Sequence, residues 1–121
     1  MEIWYRTDRF QQATDNKLAA GVEFPGESPW FDGHFPQEPI LPGIAQLAVI
    51  HDLLRIARGK NLPISEVSRV RFKRKINPLD RLEVTIVPSG TRQGAHRFRI
   101  TCEDELVCSG FLKTGNEKES K

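Results

Sequence analysis

The stretch 30–58 constrains the fold most strongly, because a polar, proline-rich segment leads directly into a long apolar helix. Three prolines that fix φ and push their predecessors out of helical geometry lie before this helix: Pro36, Pro39 and Pro42. Pro42 and Gly43 suit a first helical turn, and Arg58-Gly59-Lys60 suits the end of the helix. Between them, apolar residues occur almost all round: Ile44, Ala45, Leu47, Ala48, Val49, Ile50, Leu53 and Leu54. Such a helix is typically buried, so we expect it at the centre of the protein.

With 121 residues, the chain is expected to form a single domain over 1–121, with a core over 18–113 and a flexible tail over 114–121. Charged residues at 28% and hydrophobic residues at 38% are typical of an ordinary globular protein. Cys102 and Cys108 match neither a zinc pattern nor a disulfide framework, so we expect reduced cysteines in a cytoplasmic protein. No apolar run or leader-like start indicates a membrane protein or an exported one, and a net charge of +2 gives no reason to expect nucleic acid.

Beyond the helix the apolar residues recur with period two, which predicts strands. The predicted strands are Leu18 to Phe24, Val70 to Ile76, Leu82 to Val87, His96 to Cys102 and Leu106 to Lys113. Residues 2–12 form either a sixth strand or an irregular arm. Sequential strands at about ten-residue spacing favour an antiparallel meander, and one long helix packed on such a sheet is an α+β layer arrangement.

Two segments carry a resemblance to a known family. The run Gly33-His34-Phe35-Pro36, followed by Pro42-Gly43, resembles the signature of the bacterial β-hydroxyacyl-acyl-carrier-protein dehydratases of the FabA/FabZ type. The run 70–82 is similar to the strand and turn of the same family, and the resemblance extends over 18–113. The chain looks like a divergent member, similar to the dehydratase-like proteins of aryl polyene clusters. The resemblance implies a hot-dog fold, in which an antiparallel sheet of five or six strands wraps around one long buried central helix.

The resemblance also implies a site. His34 corresponds to the base that removes the proton α to the thioester carbonyl, and its place between a turn and a proline-stiffened loop suits that role. The N–H of Gly43 corresponds to the donor that polarises the carbonyl, a task that suits a helix N-terminus. The substrate contacts implied beside them are Phe35, Pro42, Gln46 and Ala48, although Gln46 could equally be a polar contact across a dimer.

One position departs from the family pattern. Five residues after the glycine the family carries Glu or Asp, the acid that protonates the leaving hydroxyl, and here that residue is Ala48. Asp52 lies one turn later on the same helix face and is the predicted substitute, either as the acid or as a carboxylate at the solvent edge. Glu38 is a further candidate, whereas His51 is better interpreted as a core or dimer-interface histidine.

The implied reaction removes water from a 3-hydroxyacyl thioester and leaves a trans-2-enoyl thioester, in fatty acid, polyketide or aryl polyene biosynthesis. The substrate would be carried on the phosphopantetheine of an acyl carrier protein or of coenzyme A, with no metal and no further cofactor. The resemblance implies a homodimer. Because of Ala48, two alternatives stay open: a thioester hydrolase, and a non-catalytic acyl-binding subunit in a heterodimer with a related hot-dog protein.

A cationic ridge follows from the strand pattern. Arg69, Arg71, Lys73 and Lys75 share one predicted face, with Arg97 and Arg99 as possible neighbours. Such a ridge is most often the solvated face of a sheet. The sharper interpretation, supplied by the family, is a docking surface for an acidic carrier protein or for pantetheine phosphates.

Overall fold

The structure is a computed structural model that describes residues 5–13, 17–25, 43–58, 63–89 and 94–115. Six strands and one helix follow each other along these residues: β1 (Arg6–Gln12), β2 (Leu18–Glu23), α1 (Gly43–Arg58), β3 (Ile64–Phe72), β4 (Leu82–Pro88), β5 (Ala95–Cys102) and β6 (Glu105–Thr114). The strands form one antiparallel sheet in the order β1-β2-β4-β5-β6-β3.

The helix has the predicted bounds, because it begins at Gly43, directly after a proline, and ends at Arg58. Its burial is deepest on the side that faces the sheet. One side is buried against the sheet and carries Ala45, Gln46, Val49, Ile50, Leu53 and Leu54. The other side is half-buried at Leu47, Ala48, His51 and Asp52, and Ile56 on it is 59% exposed.

The meander prediction is right for β4, β5 and β6, which pair in sequence order. It is wrong for β3, which pairs with β6 at the far edge of the sheet instead of with β4. Alternation in the sequence identifies a strand and its two faces, but it carries no information about which strand lies beside it. The crossing of β3 brings the cationic residues of β3 and β5 onto neighbouring parts of one surface.

The bounds of β3 also differ from the prediction. The strand begins at Ile64 and ends at Phe72, and its register shifts between Ser68 and Arg71, where Arg69 has a φ of 54°. A bulge of this kind inserts a residue and interrupts the alternation. Ile76, predicted within the strand, lies beyond its end but is fully buried.

At the two ends of the described chain, the structure resolves one alternative and corrects one boundary. Residues 6–12 form a strand that pairs with β2, so they are not an irregular arm. Thr114, expected in the flexible tail, is the last residue of β6 and is buried. Gly115, also in that predicted tail, donates its N–H to Pro63 O over 2.7 Å, and residues 116–121 lie outside the described residues.

The core fills the space between α1 and the sheet. Along each strand every second residue points inward, such as Leu82, Val84 and Ile86 of β4. These residues form the core together with the buried side of α1. A single antiparallel sheet packed on one long helix is the hot-dog fold, as predicted. No helix in the described ranges has both the length and the hydropathy needed to cross a membrane.

Candidate active site

The N-terminus of α1 is the centre of the candidate site. The first N–H groups of a helix have no carbonyl partner within it, so Gly43 begins a row of donors that the helix itself leaves unbonded, at the positive end of the helix dipole. The ring of Phe72, at the end of β3, lies directly against this point. A Cβ atom on residue 43 would approach Phe72 Cζ to 2.7 Å, so a side chain at this position would require the ring to move.

Four residues predicted from the sequence lie outside the described residues: His34, Phe35, Glu38 and Pro42. The catalytic assignments of His34 and the contacts of Phe35 and Pro42 therefore stay predictions. Gly43 follows this segment directly, so the only predicted site residues that the structure places are those of α1 and of the cationic ridge.

The two substrate-contact candidates on α1 lie on different sides of the helix. Gln46 is on the sheet side and only 4% exposed, and its Oε1 atom has no hydrogen-bond partner among the described residues. Ala48 is on the half-buried side, away from the sheet. A buried carbonyl oxygen without a donor is costly, so Gln46 is a position at which a bound group or a partner chain would be favourable. Ala48 leaves the half-buried side without a carboxylate at the position where the family has one.

Asp52, the predicted substitute acid, is held by two neighbours. The Tyr5 hydroxyl donates to its Oδ2 atom over 3.0 Å, and Arg55 donates from Nη2 to its Oδ1 atom over 2.5 Å. Burial of the phenol, and then the nearby carboxylate, raise the pKa of Tyr5 above its usual value, so the phenol stays protonated as a donor. The ring of Tyr5 also lies beside that of Phe24, with centroids 6.2 Å apart. Asp52 thus links the chain before β1 to the middle of α1.

Tyr5 was not identified as a site neighbour from the sequence, and no local signal could have identified it. Tyr5 and Asp52 are 47 residues apart, and their contact depends on β1 pairing at the edge of the sheet.

The predicted ridge forms part of a groove of about 400 Å³ on the outer face of the sheet. Its charged lining residues are Arg69, Arg71, Lys73, Arg97 and Arg99. Lys75, also predicted for the ridge, does not line the groove, because β3 has ended at Phe72 and the alternation no longer applies. The base of the groove comes from β6, through residues such as Ser109 and Phe111, which the sequence pattern did not single out.

No group of three His, Cys, Asp or Glu side chains within the described ranges lies close enough together to hold a metal ion.

Comparisons with known proteins agree on one family. The sequence profile of the ApeI-like family, described as ApeI dehydratase, matches residues 10–111. The chain is 30% identical over 114 residues to the 3-hydroxyacyl-[acyl-carrier-protein] dehydratase FabZ of Clostridium perfringens, an alignment that covers 87% of this chain and 82% of the relative. It is 32% identical over 113 residues to FabZ of Coxiella burnetii, covering 83% of this chain and 79% of the relative.

Solved structures show the same fold. The dehydratase heterocomplex ApeI:P from Xenorhabdus doucetiae superposes with a TM-score of 0.82 at 21% identity, covering 92% of this chain and 97% of that chain. An uncharacterised protein from Erwinia carotovora superposes with a TM-score of 0.77 at 17% identity, over 93% and 94% of the two chains. From the match over 10–111 and the identity to the FabZ enzymes, the chain belongs to the ApeI-like dehydratases, a divergent branch of the FabA/FabZ-type family.

Proposed function

We propose that this protein removes water from a 3-hydroxyacyl thioester to form a trans-2-enoyl thioester. The observation that carries the proposal is the start of α1 at Gly43, where the first N–H groups have no partner within the helix, directly after the segment that contains His34. The relatives named as 3-hydroxyacyl-[acyl-carrier-protein] dehydratases support the same reaction class.

In the proposed reaction, the thioester carbonyl accepts a hydrogen bond from the Gly43 N–H. Negative charge builds up on this oxygen as His34 takes a proton from C2, and the helix N-terminus stabilises that charge. The C3–O bond then breaks, a C2–C3 double bond forms, and the hydroxyl leaves as water with a proton from an acid.

The acid is where this chain differs from the family pattern, since Ala48 has no proton to give. Asp52 is the only acidic residue of α1 and is our candidate for the acid within the chain. Its contacts with Tyr5 and Arg55 support a second role, in which its carboxylate positions the helix and stays an acceptor. The two roles predict different results for substitution: loss of a general acid costs about 10²–10⁴ in rate, whereas loss of an anchor costs stability.

A partner subunit is the second candidate source of the acid. The side of α1 that carries Ala48 is half-buried in the protomer, and the exposed Ile56 continues it. The solved ApeI structure is a dehydratase heterocomplex, which supports a partner chain, and we propose that a related hot-dog chain lies on this side of α1. We therefore propose a dimer, and a heterodimer if the acid has to come from the partner.

The substrate is proposed to be carried on phosphopantetheine, on an acyl carrier protein as in the names of the relatives. Coenzyme A is the alternative carrier. Hydrolysis of the thioester has only the shared fold in its favour, and the missing carboxylate at Ala48 weakens it as much as it weakens dehydration.

The test is turnover of a 3-hydroxyacyl thioester on an acyl carrier protein, followed by mass spectrometry of the enoyl product. We expect turnover by the wild type, loss in His34→Ala, and near-wild-type rates in Arg81→Gln as the control at an exposed residue outside α1. A rate loss in Asp52→Asn of about 10²-fold or more, with unchanged stability, would identify Asp52 as the acid. No turnover by the wild type, alone or with a related hot-dog chain, would refute the proposed reaction.

A further inference from the structure

Among the residues described on the buried side of α1, Gln46 is the polar one. The others are apolar: Ala45, Val49, Ile50, Leu53 and Leu54. Gln46 is 4% exposed, and its Oε1 atom has no hydrogen-bond partner among the described residues. A buried acceptor without a donor destabilises a folded chain, whereas an apolar side chain of similar size does not. Folding by itself therefore gives no reason for an amide at this position.

Gln46 lies one turn after Gly43, on the same side of the helix. Residues three apart are neighbours on a helix surface, and these two differ by about 4.5 Å along the axis. A Cβ atom on Gly43 would point at Phe72 of β3, so this side of the first turn faces the sheet. Long helical side chains lean toward the N-terminus and cover the preceding turn. The carboxamide of Gln46 is therefore directed toward the N–H donors that begin at Gly43.

The start of α1 thus offers a donor and an acceptor within about one helical turn. A 3-hydroxyacyl thioester carries the complementary pair, because its carbonyl oxygen accepts and its 3-hydroxyl donates. Two carbon–carbon bonds join the carbonyl carbon to C3, so the two oxygens lie about 3–4 Å apart. We infer that Gln46 Oε1 accepts a hydrogen bond from the 3-hydroxyl while the Gly43 N–H holds the carbonyl. The inference rests on the proposed function and adds to it the residue that selects a hydroxylated acyl chain.

The contact also orients the hydroxyl for its departure. Gln46 and Ala48 lie on opposite sides of α1, because two residues turn a helix by about 200°. The hydroxyl points its hydrogen at Gln46, so its lone pairs face the side of Ala48, on which the proposed acid has to deliver a proton. A neutral amide does not supply that proton, so Gln46 is a specificity-determining residue and not the acid.

A partner chain is the other group that could satisfy Gln46. The proposed partner covers the side of α1 that carries Ala48 and the exposed Ile56. Gln46 faces the sheet of its own protomer instead. At the start of the helix, the ring of Phe72 lies against Gly43 and is 52% exposed, so it can rotate and open this end toward Oε1. The position of Gln46 therefore favours the substrate as the donor.

The contact is lost when the reaction is complete, because the enoyl product has no 3-hydroxyl. A site built to hydrogen-bond a hydroxyl rejects an analogue without one, since its buried acceptor is then left unpaired. The same residue therefore favours the substrate over a saturated acyl chain and over the product.

The test measures the Kd of two N-acetylcysteamine thioesters, 3-hydroxydecanoyl and decanoyl, by calorimetry. The parent protein is His34→Ala, so that neither ligand is turned over. We expect it to bind the hydroxylated thioester about tenfold more tightly, and Gln46→Met to bind both about equally. Leu54→Met, two turns further along the same buried side, is the matched control and should keep the tenfold preference.

A merely structural role is tested by the Tm, which should be equal or higher in Gln46→Met because an unpaired acceptor is removed. Gln46→Leu replaces Gln46→Met if that variant does not fold. A parent protein without the preference would overturn the inference, as would an unchanged preference in folded Gln46→Met or an equal loss in Leu54→Met. Conversion of Gln46→Met to monomers with an unchanged preference would identify a partner contact instead.

Turnover by the chain with His34 intact tests the proposed reaction separately. A preference that depends on Gln46 without turnover refutes the reaction and leaves the assignment of Gln46 standing. Turnover without that preference supports the reaction and refutes the assignment.

Discussion

The Tyr5 hydroxyl lies 3.0 Å from Asp52 Oδ2 and ties the start of the sheet to the middle of the central helix. The contact is half-buried, and Arg55 occupies the other oxygen of the same carboxylate. Strand β1 is exposed except at Phe10, and its backbone pairs with β2, while an ion pair joins Arg9 to Glu83 of β4. The Tyr5–Asp52 contact is therefore an anchor for the first strand as well as a restraint on the proposed acid.

We expect Tyr5→Phe to lower the free energy of unfolding by about 1.5 kcal/mol, because a hydrogen bond to a charged acceptor is lost. Urea denaturation of wild type, Tyr5→Phe, Asp52→Ala and the double variant measures the coupling. An interaction energy of about 1 kcal/mol would support the anchor. A coupling near zero would show that the two side chains act independently.

Two glycines provide a matched pair of close approaches. An added Cβ would lie 2.7 Å from Phe72 Cζ at Gly43, and 2.7 Å from Phe98 Cζ at Gly110. Phe72 is 52% exposed and can rotate away, whereas Phe98 is fully buried in the core. We expect Gly43→Ala to cost less than about 1 kcal/mol of stability and Gly110→Ala about 1–3 kcal/mol, as overpacking does.

Thermal or urea denaturation separates the two glycine variants. Phe72→Leu combined with Gly43→Ala should restore any stability that is lost, because it removes the ring from the contact. Equal losses at the two glycines would contradict the assignment of the difference to the mobility of the ring.

Stability should fall at alkaline pH because of Cys108. Burial raises the pKa of its thiol from 9.0 to about 11. Between these two values the unfolded chain releases the proton first, so the native state becomes less stable as pH rises, by about 1.4 kcal/mol at pH 10. Below the unfolded value both states keep the proton and this contribution is constant. The raised pKa of Tyr5 acts in the same direction at higher pH.

The measurement is the free energy of unfolding at pH 7, 8, 9 and 10, under reducing conditions, for wild type and Cys108→Ala. The variant is expected to be less stable throughout, because the thiol is fully buried, but its fall between pH 8 and pH 10 should be smaller. Parallel curves for the two proteins would exclude Cys108 as the origin of the alkaline loss.

If the proposed dimer forms, a charge on the side of α1 that faces away from the sheet should weaken the assembly. Ile56 is 59% exposed there, and a partner chain on this side would bury it. We expect Ile56→Asp to shift the protein toward monomers in light scattering at micromolar concentration. Leu79→Asp, at a residue 56% exposed in the turn before β4, is the matched control and should leave the assembly unchanged. An unchanged mass for Ile56→Asp would place the interface elsewhere.

Much of the fold could be predicted from the sequence, because the signals are local. Pro42 and Gly43 mark the start of α1, and the alternation in β4, β5 and β6 identifies both the strands and their inward faces. Where a bulge or a strand end interrupts the alternation, at Arg69 and after Phe72, the prediction for β3 failed. The absence of an acid at Ala48 could also be predicted directly from the sequence.

What only the tertiary structure decided is which distant residues meet. The pairing of β3 with β6 brings Arg71 to the same groove as Arg99, and the pairing of β1 brings Tyr5 to Asp52. The spacing of apolar residues identifies which face of each helix or strand is buried, but only for that segment by itself. The choice of strand neighbours depends on how all the apolar faces are buried together, and that is a property of the whole chain.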